Sequence, residues 1–444
     1  MMAASRFPLI AHDSLQAVIA YRNGIPITAG RFLGDAAKVA ATLTEGLHVL
    51  NTCQDRYRFA VGLAATLMAE RVSLMPSTLA SETLNSLRTL APDYIKLGDE
   101  DIMRIAPPQE CGIKEGAILE IPLIESERQA AWVFTSGSTG TPVPHAKTWG
   151  SLVRNVRVEA QRLGMRDGLS HTIIGTVPPQ HMYGFESTLL VALQSGCAFD
   201  ASRPFYPADI CRAIAAVPRP RLLVTTPFHL HALLSSGMDI PPLDMVVSAT
   251  APLSQNLARK AEVRLCVHVL EIYGCTETGQ VATRRPTQTA EWQLFDHVRL
   301  NAHDGELWAE GGHLDQPVAM QDFLEITHDD CFLLHGRTAD MINVAGKRSS
   351  LAYLNHQLTA IPGVVDGAFF MPNEEPIDKI TRLTAFVVAP QLDTAVLTHA
   401  LRERIDPAFL PRPIIFVDTL PRNATGKLPL EALATLAKVH VSRP

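Results

Sequence analysis

AWVFTSGSTGTPVPHAKT, residues 131–148, joins an apolar run to a string of hydroxyls and glycines. AWVFT (131–135), apolar up to Thr135, predicts a strand running into the polar loop. The segment beyond it is too polar for a core. Thr135, Ser136, Ser138, Thr139 and Thr141 carry hydroxyls, while Gly137 and Gly140 let the backbone turn where a Cβ would resist. Such a run presents N–H groups and hydroxyls toward one point, which is what an anion, above all a phosphate, requires.

Further along the chain predicted strands and helices alternate. HTIIGTV (171–177), RLLVTT (221–226), DMVVSAT (244–250) and VHVLEIYG (267–274) are short β-branched runs bounded by turn residues. WGSLVRNVRVEAQRLG (149–164) and PLSQNLARKAEV (252–263) have helical spacing between them. This alternation predicts an α/β fold of layered subdomains with a largely parallel sheet, whose ligands sit at the carboxyl ends of the strands. The hydroxyl loop, SATAPLS (248–254) and YGCTETG (273–279) all come just after such ends, so one pocket can collect all three. From about residue 284 the texture changes. GELWAEGG (305–312), FLEITHDDCFLLHGR (323–337) and MINVAGKRSSL (341–351) predict short antiparallel strands, a β-rich subdomain, and the last hundred residues a small α+β domain. The expected division is 1–337 for the large N-terminal domain and 338–444 for the small one.

Composition narrows the class. The 444 residues exceed one ordinary core. Hydrophobic residues make up 47% and charged ones 19%, with a formal net charge of -6, which disfavours a nucleic-acid partner. Seven scattered cysteines without a C-x-x-C pair suit a reduced, cytoplasmic chain. The longest apolar run, FAVGLAATLMA (59–69), is too short to span a bilayer and reads as a buried helix, so no integral membrane segment is expected.

The hydroxyl loop is not a Walker loop, and no G-x-G-x-x-G occurs. Alone it reads as a solvated surface loop as readily as a phosphate site. Glu277 in EIYGCTETG suits Mg²⁺, which favours oxygen ligands, but equally a surface turn. HDD (328–330) with GR (336–337) offers a carboxylate and a cation, and PRNATGKLPL (421–430) carries Lys427 after a glycine. In this order the motifs resemble the adenylate-forming superfamily of acyl- and aryl-CoA synthetases, peptide-synthetase adenylation domains and luciferases. The resemblance runs from about Ala131 to Leu430.

It implies that a carboxylate attacks the α-phosphate of ATP, forming an acyl-adenylate that a thiol then cleaves. Thr135, Ser136, Gly137, Ser138, Thr139 and Gly140 would hold phosphates. Glu277 and Thr139 would place Mg²⁺, and Ala249, Thr250, Ala251, Tyr273, Gly274 and Thr276 would line the adenine site. Asp329, with Asp330 as its alternative, and Arg337 would take the ribose. Lys427 would bridge substrate carboxylate and phosphate, the small domain rotating between the two steps. The acid pocket would be walled by His181, Met182, Tyr183, Phe185, Phe228, Ala249 and Thr250. PPQHMYGF (178–185) holds no acid to pair with a substrate ammonium, so an aromatic or fatty acid without an α-amino group is expected.

The chain departs from the family pattern in places. Val143 stands where a lysine is usual; Lys147 either supplies the displaced charge or the loop tolerates its loss. His328 replaces a glycine, and Ala339 falls at the hinge position. This shortened form resembles stand-alone ligases of polyketide or pigment clusters, which implies an acyl carrier protein as acceptor, with coenzyme A as the alternative. Arg402, Arg404, Arg412 and Arg422 suit either. A non-catalytic relative is the reading of another class.

Overall fold

The computed structural model describes residues 5–76, 78–107, 120–136, 142–165, 170–303, 306–337, 341–344, 347–371, 383–422 and 428–441. Two large sheets form its large domain. The first has five strands in the order Ile95–Leu97, His48–Asn51, Val72–Met75, Gln129–Ser136, Pro142–Thr148. The first four run parallel, and the last returns antiparallel from the hydroxyl loop. The apolar run at 59–69 lies in the helix Arg56–Met68, buried along nearly its whole length.

The second sheet has eleven strands. Its middle is the parallel array anticipated from the sequence, Thr172–Gly175, Arg221–Thr225, Met245–Ser248 and His268–Cys275, joined by the short parallel strand Ala198–Asp200, which was not anticipated. Beyond His268–Cys275 the strands turn antiparallel, ending in the hairpin Asp322–His328 and Cys331–Arg337. At the opposite edge sits a hairpin from near the start of the chain. Val18–Arg22 pairs with Ala198–Asp200, and Ile25–Thr28 is outermost. Asn23 and Gly24 connect the two at φ 51° and 77°, the left-handed pair that a two-residue turn needs to match strand twist. Pro26 lies on the outermost strand.

Alternation explains where the cores sit. Leu222, Val224 and Val247 face a core shared with the first sheet, whereas Leu223, Val246 and Val269 face helices Pro207–Ala215, Pro227–Ser235 and Gln255–Leu265. Arg56 ties the helix Arg56–Met68 to the second sheet. Its side chain is fully buried and donates to the carbonyls of Gly175 (2.9 Å), Val177 (3.1 Å), Asp200 (3.1 Å) and Ser202.

The small domain has its own core around Leu354, Leu358, Phe369, Ala385 and Leu401. Strands Asp366–Phe370, Thr384–Val388 and Ile414–Phe416 form its sheet, flanked by helices Leu351–Thr359, Thr394–Arg402 and Leu430–Val441. The hairpin Met341–Val344 and Lys347–Ser350 precedes it, and Ser350 Oγ donates to His335 O at 2.7 Å, joining it to the large domain. Among the described residues no helix is long and apolar enough to cross a membrane.

Candidate active site

The strand Gln129–Ser136 carries Thr135 to the brink of the hydroxyl loop. Thr135 Oγ1 lies 3.0 Å from Nε2 of His145 on the returning strand. The same nitrogen is 3.5 Å from Glu277 Oε1, so one imidazole spans the start of the loop and the YGCTETG turn of the other sheet. Burial holds His145 below the usual imidazole pKa, against the opposing pull of Glu277. Gly137, Ser138, Thr139, Gly140 and Lys427 lie outside the described residues, and of Ser136 and Arg337 only the backbone is described.

YGCTETG forms a tight hairpin between His268–Cys275 and Gly279–Arg284. Two glycines are required. A Cβ on Gly274 would stand 2.2 Å from Gly279 O, and Gly279, at φ +71°, would drive one to 2.4 Å from Asn155 Nδ2. The turn is gripped from beneath. Lys147 Nζ donates to Glu277 O at 2.7 Å, and His313 Nε2–H donates to Thr278 O at 2.8 Å. Both donors are buried. Burial pushes His313 down to about 4, so its ring is neutral. The Glu277 carboxylate remains about a quarter exposed (27%). Cys275, inside the motif, stays a thiol because burial pushes its pKa up to about 11.

Behind the turn lies a buried polar group that no sequence motif announces. Asn155 Nδ2 donates to Glu186 Oε1 at 3.2 Å, and Gln280 Nε2 to Ser187 Oγ at 2.7 Å. Neither carboxylate oxygen of Glu159 has a hydrogen-bond partner among the described residues. Burial pushes both Glu159 and Glu186 up to about 8, with Lys147 opposing the rise at Glu186.

The two residues expected at the ribose are not brought together. Asp329 and its alternative Asp330 lie at the exposed turn of the last hairpin, between His328 and Cys331. Arg337 stands at the other end, roughly 20 Å away at the rise of a strand. Its register partner is Asp322. The Tyr273 hydroxyl donates to Asp322 Oδ2 at 2.5 Å, which joins Asp322 to the YGCTETG motif. The Tyr273 ring packs against Trp292 (5.6 Å) and Phe332 (5.5 Å). The signal for Asp322 was present in the sequence. In an antiparallel hairpin turning at 328–331, the residue opposite Arg337 is as far before the turn as Arg337 is after it.

At the end of Met245–Ser248, Ala249, Thr250 and Ala251 form the next segment, with Thr250 at φ +78°, an uncommon conformation for a β-branched residue. Met182, Tyr183, Phe185 and Ala249 belong to one buried cluster. His181 Nδ1 accepts from the Tyr183 amide at 3.3 Å and opens the helical turn. The Tyr183 hydroxyl is committed to Val247 O at 3.0 Å. Phe228 does not join this cluster. It is 40% exposed, at the start of the helix Pro227–Ser235, and packs with Phe205 and His229. Arg422 is held by Asp366 at 2.6 Å, unlike the exposed Arg402, Arg404 and Arg412.

Known proteins agree with this architecture. The model for AMP-binding enzymes matches residues 48–300, and that for the AMP-binding enzyme C-terminal domain matches 356–427. A 4-coumarate–CoA ligase of Rhodobacter capsulatus is 29% identical over 341 residues, spanning 76% of this chain and 84% of that protein. A 3-hydroxybenzoate–CoA/4-hydroxybenzoate–CoA ligase of Thauera aromatica is 24% identical, spanning 71% and 67%. The ATP-bound structure of MatB from Rhodopseudomonas palustris superposes with a TM-score of 0.81 at 19% identity, covering 96% of this chain and 97% of that one. With the first family model alone matching more than half its length, the chain belongs to the AMP-binding enzymes, the adenylate-forming ligases.

Proposed function

We propose that this ligase activates an aromatic carboxylic acid with ATP, releasing pyrophosphate, and passes the acyl group from the adenylate to the thiol of coenzyme A. The observation that carries the reading is that both sheets meet at Tyr273–Gly279: His145, bonded to Thr135, reaches Glu277 from one, and Asp322, opposite Arg337 in register, accepts from Tyr273 on the other. Both reactants are anions, so the reaction needs directed dipoles and positive charge rather than a strong base. In this reading Asp322, not Asp329, takes the ribose hydroxyls with Arg337.

Mg²⁺ fits the residues present. Glu277 offers hard carboxylate oxygens at the open side of its turn, and Thr139 would complete the protein's share. When bound, the ion neutralises phosphate charge. Lys427 brings a compact cation to the reacting carboxylate and phosphate, the small domain turning about residues near Ala339 between the steps.

For the acid, the cluster of Met182, Tyr183, Phe185 and Ala249 offers apolar walls and no partner for an ammonium group. The nearby Glu186 is buried against Gly279 and engaged by Asn155. The two ligases from Rhodobacter and Thauera act on hydroxylated aromatic acids with coenzyme A, which favours that acceptor over a carrier protein.

The test is acid-dependent pyrophosphate release by wild type and Lys427→Ala, across coumarates, hydroxybenzoates, fatty acids and amino acids. Release with an aromatic acid, largely lost in the variant, supports the reading. Coenzyme A and a phosphopantetheinylated carrier protein are then compared as acceptors. Faster transfer to the carrier overturns the acceptor assignment, and no release with any acid overturns the activity.

A further inference from the structure

Lys147 and His313 come from different parts of the chain, the strand Pro142–Thr148 and the turn after Glu306–Gly311, yet their donors end on successive carbonyls of one turn. The carbonyls belong to Glu277 and Thr278, so the backbone that carries the Glu277 side chain is held at two successive peptides. The arrangement is costly to build. Lys147 is 8% exposed, and a buried ammonium needs both hydrogen bonds and an opposing charge. The backbone carbonyl supplies the first. Acidic side chains surround the ammonium, Glu186 foremost, and Lys147 opposes the burial that pushes the Glu186 carboxyl up. Glu186 in turn sits beneath Gly279, where a Cβ would meet its Oε1 at 2.8 Å. Gln280 is tied to Ser187. Four consecutive residues, 277–280, are thus each set by a buried side chain from outside the hairpin.

We propose that Lys147 and His313 are positioning residues for Glu277, a polar bracket that holds its carboxylate where ATP·Mg²⁺ is received. The proposal rests on the adenylation activity proposed for this site. It assigns a role to the lysine that comes after the hydroxyl loop. Lys147 acts through the backbone of the opposite sheet rather than by touching phosphate. Fixing the turn before nucleotide arrives removes an ordering cost from the transition state, the usual return on a rigid second layer of support.

The experiment has two independent readouts. The first is steady-state adenylation with Lys147→Met, His313→Ala and His313→Gln, the last keeping an N–H near the position of Nε2. Lys147→Met and His313→Ala are expected to raise KM for ATP·Mg²⁺ and lower kcat by about tenfold each, leaving KM for the acid within about twofold. His313→Gln is expected to restore most of the loss. The second is hydrogen exchange of the peptide covering 275–280, with binding of a fluorescent ATP analogue titrated against Mg²⁺. The bracket predicts faster exchange there in Lys147→Met and His313→Ala, and a higher Mg²⁺ requirement for binding. Should Lys147→Met fail to fold, Lys147→Met/Glu186→Gln removes the buried ammonium and the Glu186 carboxyl together and is measured in its place. Unchanged exchange at 275–280 with unchanged ATP kinetics overturns the bracket. Equal loss in His313→Gln and His313→Ala overturns the donor role of His313. If wild type adenylates no acid, the activity reading fails, while exchange still judges the bracket.

Discussion

The hydroxyl of Tyr273 donates to Asp322 at 2.5 Å, and Asp322 stands opposite Arg337 in the last hairpin of the eleven-stranded sheet. A carboxylate, a phenol and an arginine backbone position therefore meet beside the YGCTETG turn, while Asp329 lies at the far end of the same hairpin. We expect Asp322→Ala to raise KM for ATP by about tenfold or more. Asp329→Ala should leave it unchanged. The two variants, measured side by side by pyrophosphate release, separate the assignments; equal effects would return weight to the hairpin tip.

Glu159 gives a stability signature. Burial raises its pKa from 4.5 to about 8 in the folded chain. Below about pH 4.5 both states hold the proton. As pH rises toward 8 the unfolded chain loses its proton while the folded chain keeps it, so stability falls by about 1.4 kcal/mol per unit over that window. Glu159→Gln removes this dependence. Its Tm should exceed that of wild type at pH 8 by more than at pH 5. A constant difference at both values would show that Glu159 ionises normally.

Arg56 satisfies carbonyls at the ends of two strands and the loops beyond them. Arg56→Met leaves these acceptors buried without their donor, and about 3 kcal/mol of stability should be lost. Arg56→Lys should recover little, because one ammonium cannot reach what a guanidinium fork spans. Urea midpoints of the three proteins check this, and a near-wild-type midpoint for Arg56→Lys would argue that only the charge matters.

Thr250 holds a left-handed backbone that costs a β-branched residue on the order of 1–3 kcal/mol. Thr250→Gly relieves that strain and restores some chain entropy to the unfolded state, leaving a net gain of about 1 kcal/mol. We expect a higher Tm together with weaker acid or ATP binding. A lower Tm would mean that the threonine side chain contributes more than its backbone costs.

Periodicity made the parallel strands legible, because Ile173, Leu222–Val224 and Val246–Val247 are buried on both faces and so form continuous apolar runs. Family resemblance rather than residue chemistry made Glu277 and Tyr273 candidates, since a glycine-framed turn after a strand reads equally as a surface feature. Asp322 was not, because THDD offered a carboxylate beside three familiar letters, whereas the residue opposite Arg337 is defined by hairpin register. Lys147 was ambiguous for a related reason. A side chain's direction along a returning strand depends on pairing across the loop, which composition does not encode. Glu159 and Glu186 sit on helical segments at positions that look solvated until the packing of Asn155 and Gln280 is seen.

The edge hairpin at Val18–Thr28 has a consequence for synthesis. Its partner strand, Ala198–Asp200, leaves the ribosome roughly 180 residues later, on the order of ten seconds or more at ordinary elongation rates. For that interval a β-branched ribbon waits with an open side. The Asn23–Gly24 turn lets it close on itself at once, and Pro26 removes one amide from the face that stays outermost afterwards. The nascent chain thus carries its own guard against pairing with a neighbour on the same message, and the finished enzyme keeps that guard at the rim of its largest sheet.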